Sequence, residues 1–248
     1  MNEGRKKDNV GNGVAMLQNL AVAASVLQNM AAREGGLPGI GVLYGAPGRG
    51  KTYACTAIAN QMRGYYVQVR SAWNRKTLLE KILFEMGVTA ENTIAKMLDQ
   101  ICEQIGLSRR PLIIDEFDFC LRNNGMIELV RDIYEGSQGT MLLVGEENIP
   151  QKLKKHERFH SRVLAWVPAL PVSIEDAKLL CKIYCQGVTV DQALLEHVVK
   201  IAHGSVRRVC VNLSVIKDVA LRDALDTVDL AAVGEGNLYT GEAPVRRG

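Results

Sequence analysis

Residues 45–52 have a composition and spacing that suit phosphate chemistry. They read Gly-Ala-Pro-Gly-Arg-Gly-Lys-Thr and fit the pattern G-x-x-x-x-G-K-[S/T]. Glycines at this spacing let backbone N–H groups turn inward onto phosphate oxygens, because no Cβ stands in the way. Lys51 can then reach the β- and γ-phosphates, and the Thr52 hydroxyl can hold Mg²⁺. The pattern predicts a nucleotide-phosphate site.

The residues on either side of this loop predict the elements that must position it. The apolar run 40–44 reads as a buried strand, and residues 53–62 read as a helix. The positive end of the helix dipole would then lie beside the bound phosphates. We therefore predict that the nucleotide contacts Gly45, Ala46, Pro47, Gly48, Arg49, Gly50, Lys51, Thr52 and Tyr53.

Acidic and polar side chains follow two later apolar runs. Residues 112–114 are apolar and lead into Asp115 and Glu116, which is the Walker B pattern. Asp115 would hold Mg²⁺ through water, and Glu116 would orient or deprotonate the attacking water. The run 140–145 ends at Glu146, Glu147 and Asn148, where a γ-phosphate sensor would lie. Asn148 is a candidate nucleotide contact, and which of these residues acts as the sensor stays open.

Strands and helices alternate up to about residue 170, which predicts an α/β fold with a parallel sheet and ligands at the carboxyl ends of its strands. After Pro168 and Pro171 the pattern is helical, and Ser173 with Asp176 predicts a helix cap. We expect a disordered lead-in at 1–13, an α/β nucleotide-binding domain at 14–170, a helical lid at 171–233 and a mobile tail at 234–248.

Composition restricts the class of protein. No apolar run in the 248 residues approaches the ~18–20 residues that span a bilayer, and the polar N-terminus lacks the features of a signal peptide. The six cysteines contain no C-x-x-C pair, which favours free thiols in a reducing compartment. We expect a cytoplasmic protein without a membrane partner. A net charge of +3 does not itself demand a polyanionic partner.

With these motifs assembled, the chain resembles the AAA+ ATPases over about residues 14–225. Residues 159–162, Phe-His-Ser-Arg, look like the box that carries an arginine finger, and residues 204–208, Gly-Ser-Val-Arg-Arg, are similar to the G-x-x-R sensor-2 motif. The resemblance implies a five-stranded parallel sheet, an all-helical lid, and hydrolysis of ATP with Mg²⁺. It implies catalytic roles for Lys51, Glu116, Arg162 and Arg207, with Arg162 acting on the nucleotide of a neighbouring subunit.

Within the AAA+ proteins, the size and domain order are most similar to the MuB, TnsC and IstB transposition ATPases. This resemblance implies a ring or helical filament on duplex DNA, a role in target selection or transposase activation, a transposase partner, and a phage origin in a host cytoplasm. It also implies DNA contacts from basic residues near the second strand, here Arg70, Arg75 and Lys76.

Other interpretations stay open at this point. A helicase loader of the DnaC type or a replication initiator would share the same ATPase core. A nucleotide-gated scaffold, in which slow hydrolysis is only a timer, would share it too. Trp73 could stack on a ligand or pack into the core, and the basic cluster 152–158 could meet DNA, a neighbouring subunit or only solvent.

Overall fold

The computed structural model describes residues 15–242, so the predicted lead-in 1–13 and the last part of the predicted tail, 243–248, lie outside the described residues. The described chain forms two compact units. We call Gln18–Pro171 together with Gly204–Arg207 the sheet unit. The helical unit consists of residues 15–17, Val172–His203 and 208–242. Within residues 15–242, no helix is long and apolar enough to cross a membrane.

The sheet unit is built on a five-stranded parallel sheet, which confirms the predicted α/β fold. The strands are β1 (Ile40–Tyr44), β2 (Tyr65–Gln68), β3 (Leu112–Asp115), β4 (Met141–Gly145) and β5 (Val163–Pro168), in the spatial order β2-β3-β4-β1-β5. The helices are α1 (Gln18–Ala31), α2 (Lys51–Met62), α3 (Arg75–Met86), α4 (Ile94–Ser108), α5 (Asn124–Ser137), α6 (Ile149–Leu153) and α7 (Glu157–His160), with a 3-10 helix at Phe117–Arg122.

Helices cover both faces of this sheet, which is why its strands are almost entirely apolar. Alternate residues of each strand enter different apolar clusters. Leu112 and Ile114 pack into the cluster that includes residues of α3, α4 and α5, whereas Ile113 packs into the cluster formed with α1 and α2. Because all strands run in parallel, their carboxyl ends meet at one edge of the sheet. That edge receives both the 45–52 loop and the Asp115–Glu116 pair.

The helical unit contains α8 (Ile174–Tyr184), α9 (Gln192–Ile201) and α11 (Leu230–Val233), a parallel pair of short strands, β6 (Thr189–Val190) and β7 (Thr227–Val228), and a 3-10 helix at Glu235–Asn237. Helix α10 (Val206–Arg222) begins in the sheet unit and continues into the helical unit. The predicted cap of α8 is confirmed as a full capping box between Ser173 and Asp176. The short strand pair was not expected from the helical pattern.

Residues 234–242 differ from the mobile tail that the sequence predicts. Leu238 is buried, and the side chain of Asn212 binds the backbone of Tyr239 twice. Asn212 Nδ2 donates to the Tyr239 carbonyl over 3.0 Å, and the Tyr239 N–H donates to Asn212 Oδ1 over 2.7 Å. Because Asn212 is fully buried, losing these bonds would leave its amide without partners in an apolar setting. The segment is therefore fixed to α10.

We predict that Asn212→Ala lowers the free energy of unfolding by about 2 kcal/mol, since it removes two buried hydrogen bonds. It should also expose residues 234–242 to protease. Denaturant unfolding and limited proteolysis measure both effects. Ser214→Ala, which removes an exposed hydroxyl from the same helix, is the control and should change stability by less than about 0.5 kcal/mol. Equal stability of the two variants would contradict the role of Asn212.

Candidate active site

The 45–52 loop lies at the carboxyl end of β1, where Tyr44 is paired with Gly145 of β4 and with Pro168 of β5. Gly48 and Gly50 have φ of +81° and +79°, a left-handed conformation that glycine adopts without strain. A Cβ on Gly48 would also lie 2.5 Å from Ser205 Oγ. Gly50 is the N-cap of α2 and brings no side-chain cap. The first N–H groups of α2 are therefore available to phosphate oxygens.

The Lys51 ammonium is held over this loop by two of the loop's own carbonyls. Nζ donates to Gly45 O over 2.6 Å and to Ala46 O over 3.0 Å. Burial lowers the pKa of Lys51, and the nearby carboxylates of Asp115, Glu116, Asp118 and Glu146 oppose that effect. These two bonds place the cation among the backbone groups that would surround the phosphates.

Asp115 is a buried carboxylate that receives hydrogen bonds from three different elements. Oδ2 accepts from the Thr52 hydroxyl at 2.8 Å and from the Tyr66 hydroxyl at 2.9 Å, and Oδ1 accepts from the Glu116 N–H at 2.8 Å. Only 1% of Asp115 is exposed. The hydroxyl of Thr52 and the carboxylate of Asp115 are thus adjacent, as the two predicted Mg²⁺-binding groups must be.

Glu116 has a left-handed backbone, with φ of +54°, which is unusual for a residue with a side chain. The bond from its N–H to Asp115 stabilises this conformation. Burial raises the pKa of Glu116, as does the charge of Asp115, while Lys51 opposes both. A glutamate whose pKa lies above its usual range is better suited to accept a proton near neutral pH.

Asp118 contributes to the site and was not among the predicted residues. It is 5% exposed; its Oδ2 accepts the Glu146 N–H at 2.6 Å, and its Oδ1 binds Lys152 Nζ at 2.8 Å. A Cβ on Gly145 would lie 2.2 Å from Asp118 Oδ2, so β4 must end in glycine for this contact to form. Asp118 thereby fixes the segment after β4 to the turn after β3. Lys152, a member of the basic cluster 152–158, is held in this ion pair.

The remaining predicted ligands occupy different surroundings. Asn148 is exposed and its side chain makes no capping bond to α6, so its sensor role stays a prediction. Tyr53 packs partly against the apolar cluster around α2. The Arg49 side chain donates to the Ala169 carbonyl over 3.1 Å, and the Arg49 carbonyl accepts from Asn19 Nδ2 over 2.8 Å. Those contacts fix the loop to the segment after β5, and sequence reasoning missed Asn19.

Arg207 belongs to the short segment of the sheet unit that lies against the loop. Its N–H donates to the Gly48 carbonyl over 3.4 Å, and the residue is exposed. The neighbouring Val206 is also close to the loop, because a Cβ placed on Gly50 would lie 3.5 Å from the Val206 side chain. The segment thus lies against the loop, and the sensor-2 role of Arg207 stays a prediction.

Arg162 lies at the opposite edge of the sheet. It directly precedes β5, whose first residue Val163 is paired with Ile40, the first residue of β1. The loop follows the last residue of β1, roughly 15 Å further along the strand. Arg162 Nε donates to Glu135 Oε1 over 2.5 Å, and 43% of the side chain is exposed. The structure thus does not bring Arg162 to the nucleotide site of its own chain.

The predicted DNA-contacting residues Arg70, Arg75 and Lys76 are all exposed, after β2 and at the start of α3. Lys76 makes only a loose pair with Glu80, at 3.8 Å. Arg70 lines a groove that also contains Glu116. Trp73 packs against the apolar cluster around α3, which favours the core interpretation of that residue.

These residues fit ATP and Mg²⁺. The site has glycines with φ values that only glycine adopts easily, a lysine over the loop, and an adjacent hydroxyl and carboxylate. Groups of these kinds hold β- and γ-phosphates with their metal. When bound, Mg²⁺ would neutralise charge on the phosphates. The predicted roles of the protein's own residues are to position the γ-phosphate through Lys51 and to accept the proton of the attacking water at Glu116.

We predict that Glu116→Gln retains nucleotide binding and lowers single-turnover hydrolysis by about 10²-fold or more, since it removes the base. In the unmodified protein, kcat/KM should fall as the pH drops through the raised pKa of Glu116, above the usual range of a glutamate. Glu103→Gln, at an exposed position on α4, is the control and should keep full activity. Full activity of Glu116→Gln would remove Glu116 from the mechanism.

Comparison with known proteins agrees with this geometry. Residues 34–153 match the protein family described as "AAA domain". A curated relative, cell division protein C of Sulfolobus acidocaldarius, is 27% identical over 180 residues. The match covers 66% of this chain and 45% of the relative, so the chain spans less than half of that protein's length.

Solved structures share the fold at low sequence identity. The ORC2 protein of Aeropyrum pernix, solved as ADPNP–ADP complexes, superposes with a TM-score of 0.69 at 16% identity, covering 88% of this chain and 66% of that one. The ORC1 protein of the same organism, in complex with DNA, superposes with a TM-score of 0.60 at 21% identity, covering 87% of this chain and 62% of that one. The RuvB Holliday junction branch migration motor of Thermotoga maritima superposes with a TM-score of 0.59 at 19% identity, covering 87% of this chain and 66% of that one. Residues 34–153 are therefore similar to AAA domains, the chain shares the fold of these solved structures, and its loop residues fit ATP and Mg²⁺.

Proposed function

We propose that the protein hydrolyses ATP as a homo-oligomer, a ring or helical filament, that assembles on duplex DNA. The position of Arg162 carries the oligomer part of this proposal. The predicted finger lies at the amino ends of the strands, while the nucleotide loop lies at their carboxyl ends. An arginine so placed can act only on the nucleotide of another subunit.

The Arg162 side chain is available for that role because, among residues 15–242, its guanidinium pairs with an exposed acid, Glu135. An exposed pair such as Arg162–Glu135 contributes about 0–1 kcal/mol, so a γ-phosphate on a neighbouring subunit can compete for the guanidinium. The same groove is lined by Arg131, Asp132, Arg158 and Ser161. Its surface is therefore charged and suits a subunit contact. ATP would then stabilise the assembly, and hydrolysis would release it.

The DNA part of the proposal rests on Arg70, Arg75 and Lys76. Repeated in successive subunits, these exposed cations would follow a phosphate backbone without reading its sequence. The similarity to an ORC1 protein solved in complex with DNA supports this partner. Arg70 shares a groove with Glu116, so DNA at this surface would lie close to the catalytic residue.

Two biological roles are proposed for the assembly. The comparisons favour a replication initiator or helicase loader, because origin recognition proteins are among the similar structures. Target selection in transposition, with a transposase partner and a phage origin, follows from the resemblance to MuB, TnsC and IstB. None of the relatives reported above is a transposition protein. For a scaffold timed by slow hydrolysis, Glu116→Gln should leave assembly intact and block turnover, and failure of this variant to disassemble would make hydrolysis a functional release step. A cytoplasmic location stays a prediction for each role.

We predict that Arg162→Ala retains ATP binding and lowers oligomer-dependent hydrolysis by about 10³-fold or more, the effect expected of a missing finger. Steady-state turnover measured across protein concentrations tests this, with binding measured separately. Lys178→Ala, an exposed cation outside this groove, is the control and should retain turnover. Unchanged turnover of Arg162→Ala would show that the assignment of the finger is wrong.

We further predict that Arg75→Ala and Lys76→Ala weaken duplex binding to a similar degree on all sequences. Each should reduce the slope of log K against log[salt] by about one, because one phosphate contact is lost. Fluorescence anisotropy with two unrelated duplexes and a single strand measures this. Lys178→Ala, in the helical unit, should have no effect. A sequence-dependent loss would exclude the backbone-tracking role, and a clear preference for the single strand would exclude assembly on duplex DNA.

A further inference from the structure

Tyr66 is a residue near the site to which the ATPase motifs give no role. Its hydroxyl donates to Asp115 Oδ2 over 2.9 Å, the same oxygen that accepts the Thr52 hydroxyl at 2.8 Å. The second oxygen, Oδ1, accepts the Glu116 N–H. Donors thus come to Asp115 from α2, from β2 and from the turn after β3, and Tyr66 supplies the one from the neighbouring strand.

The sheet register explains how Tyr66 reaches this carboxylate. Tyr66 is paired with Ile113, and Gln68 with Asp115, on adjacent parallel strands. Because alternate residues share a face, Tyr66, Ile113 and Asp115 all lie on the face covered by α2. The phenol packs against the apolar cluster there and extends to a residue two positions further along the next strand. Tyr65, its neighbour, faces the opposite cluster.

A carboxylate that must support a metal has to keep its orientation. Without Tyr66, the Asp115 side chain would be held by two bonds, from the Thr52 hydroxyl and the Glu116 N–H. The Tyr66 hydroxyl is attached to a packed aromatic ring on a strand, and so provides a fixed reference for Oδ2. Groups that orient metal-supporting side chains in this way typically contribute 10- to 100-fold to metal affinity or activity.

We propose that Tyr66 is a positioning residue for Mg²⁺, acting through its hydrogen bond to Asp115. Its contribution is to fix the carboxylate beside Thr52, so that the two groups present a preformed binding position. This inference goes beyond the proposed function and is independent of DNA and of oligomer formation, since every residue involved belongs to one subunit.

The test is Tyr66→Phe, which removes the hydroxyl and keeps the packed ring. The affinity for a fluorescent ADP analogue is measured in EDTA and during a Mg²⁺ titration. We expect the Mg²⁺ concentration that gives half of the Mg²⁺-dependent change in affinity to rise about 10-fold. The affinity in EDTA should change by less than about twofold, because the contacts of Lys51 and the loop are untouched.

Tyr65→Phe is the matched control, because it removes a phenolic hydroxyl one residue away on the other face of the sheet. It should behave as the unmodified protein, and thermal unfolding should show both variants folded. An unchanged Mg²⁺ midpoint in Tyr66→Phe would overturn the proposal. An equal loss of affinity in EDTA and in Mg²⁺ would also overturn it, since that result would indicate a structural role only. Neither outcome depends on whether the protein binds DNA.

Discussion

The structure of the site depends on the buried charge of Asp115. An ionised carboxylate without partners would be costly in a nearly solvent-free position, so its oxygens must be fully hydrogen-bonded. Thr52, Tyr66 and the Glu116 N–H meet that requirement. In doing so they fix the start of α2, the edge strand β2 and the catalytic turn relative to one another. The need to satisfy one charge therefore sets the geometry of the metal and water-activating groups together.

The parallel sheet separates the predicted finger from the nucleotide loop of the same chain. All carboxyl ends of the strands lie at one edge, which concentrates the loop, Asp115, Glu116 and the Gly145 turn there. The amino ends necessarily lie at the other edge, and with them Arg162. A subunit therefore has a nucleotide at one edge of its sheet and a candidate finger at the other. Such an arrangement suits head-to-tail contacts, which close into rings or extend as helical filaments.

The parts of the site that could be predicted from the sequence are those made by neighbours in the chain. The strand, the glycine loop and its helix are contiguous, and Asp115 with Glu116 directly follows an apolar run. Other contacts join residues far apart, such as Tyr66 with Asp115, 49 positions apart, and Asn19 with Leu170, 151 apart. No local pattern indicates them. Asp118 could have been noted as a second acid after the strand, but its bond to the Glu146 N–H depends on strand order.

Two further contacts that the sequence did not indicate have the same origin. Residues 234–242 have few apolar side chains and looked mobile, yet the buried amide of Asn212 pairs with the Tyr239 backbone and fixes them. The Arg49 side chain binds the carbonyl of Ala169, and its predicted contact with nucleotide stays a prediction. In both cases a polar side chain satisfies a distant backbone group, which composition and spacing do not reveal.

The central claim is that a complete ATPase site combines Glu116 and its loop from one subunit with Arg162 from another. Mixing two inactive proteins tests this most directly: one carries Glu116→Gln, with its finger intact, and the other Arg162→Ala, with its loop and base intact. We expect the mixture to hydrolyse ATP at a rate well above the sum of the separate proteins. A rate equal to that sum, when the two variants are shown to co-assemble, would contradict it.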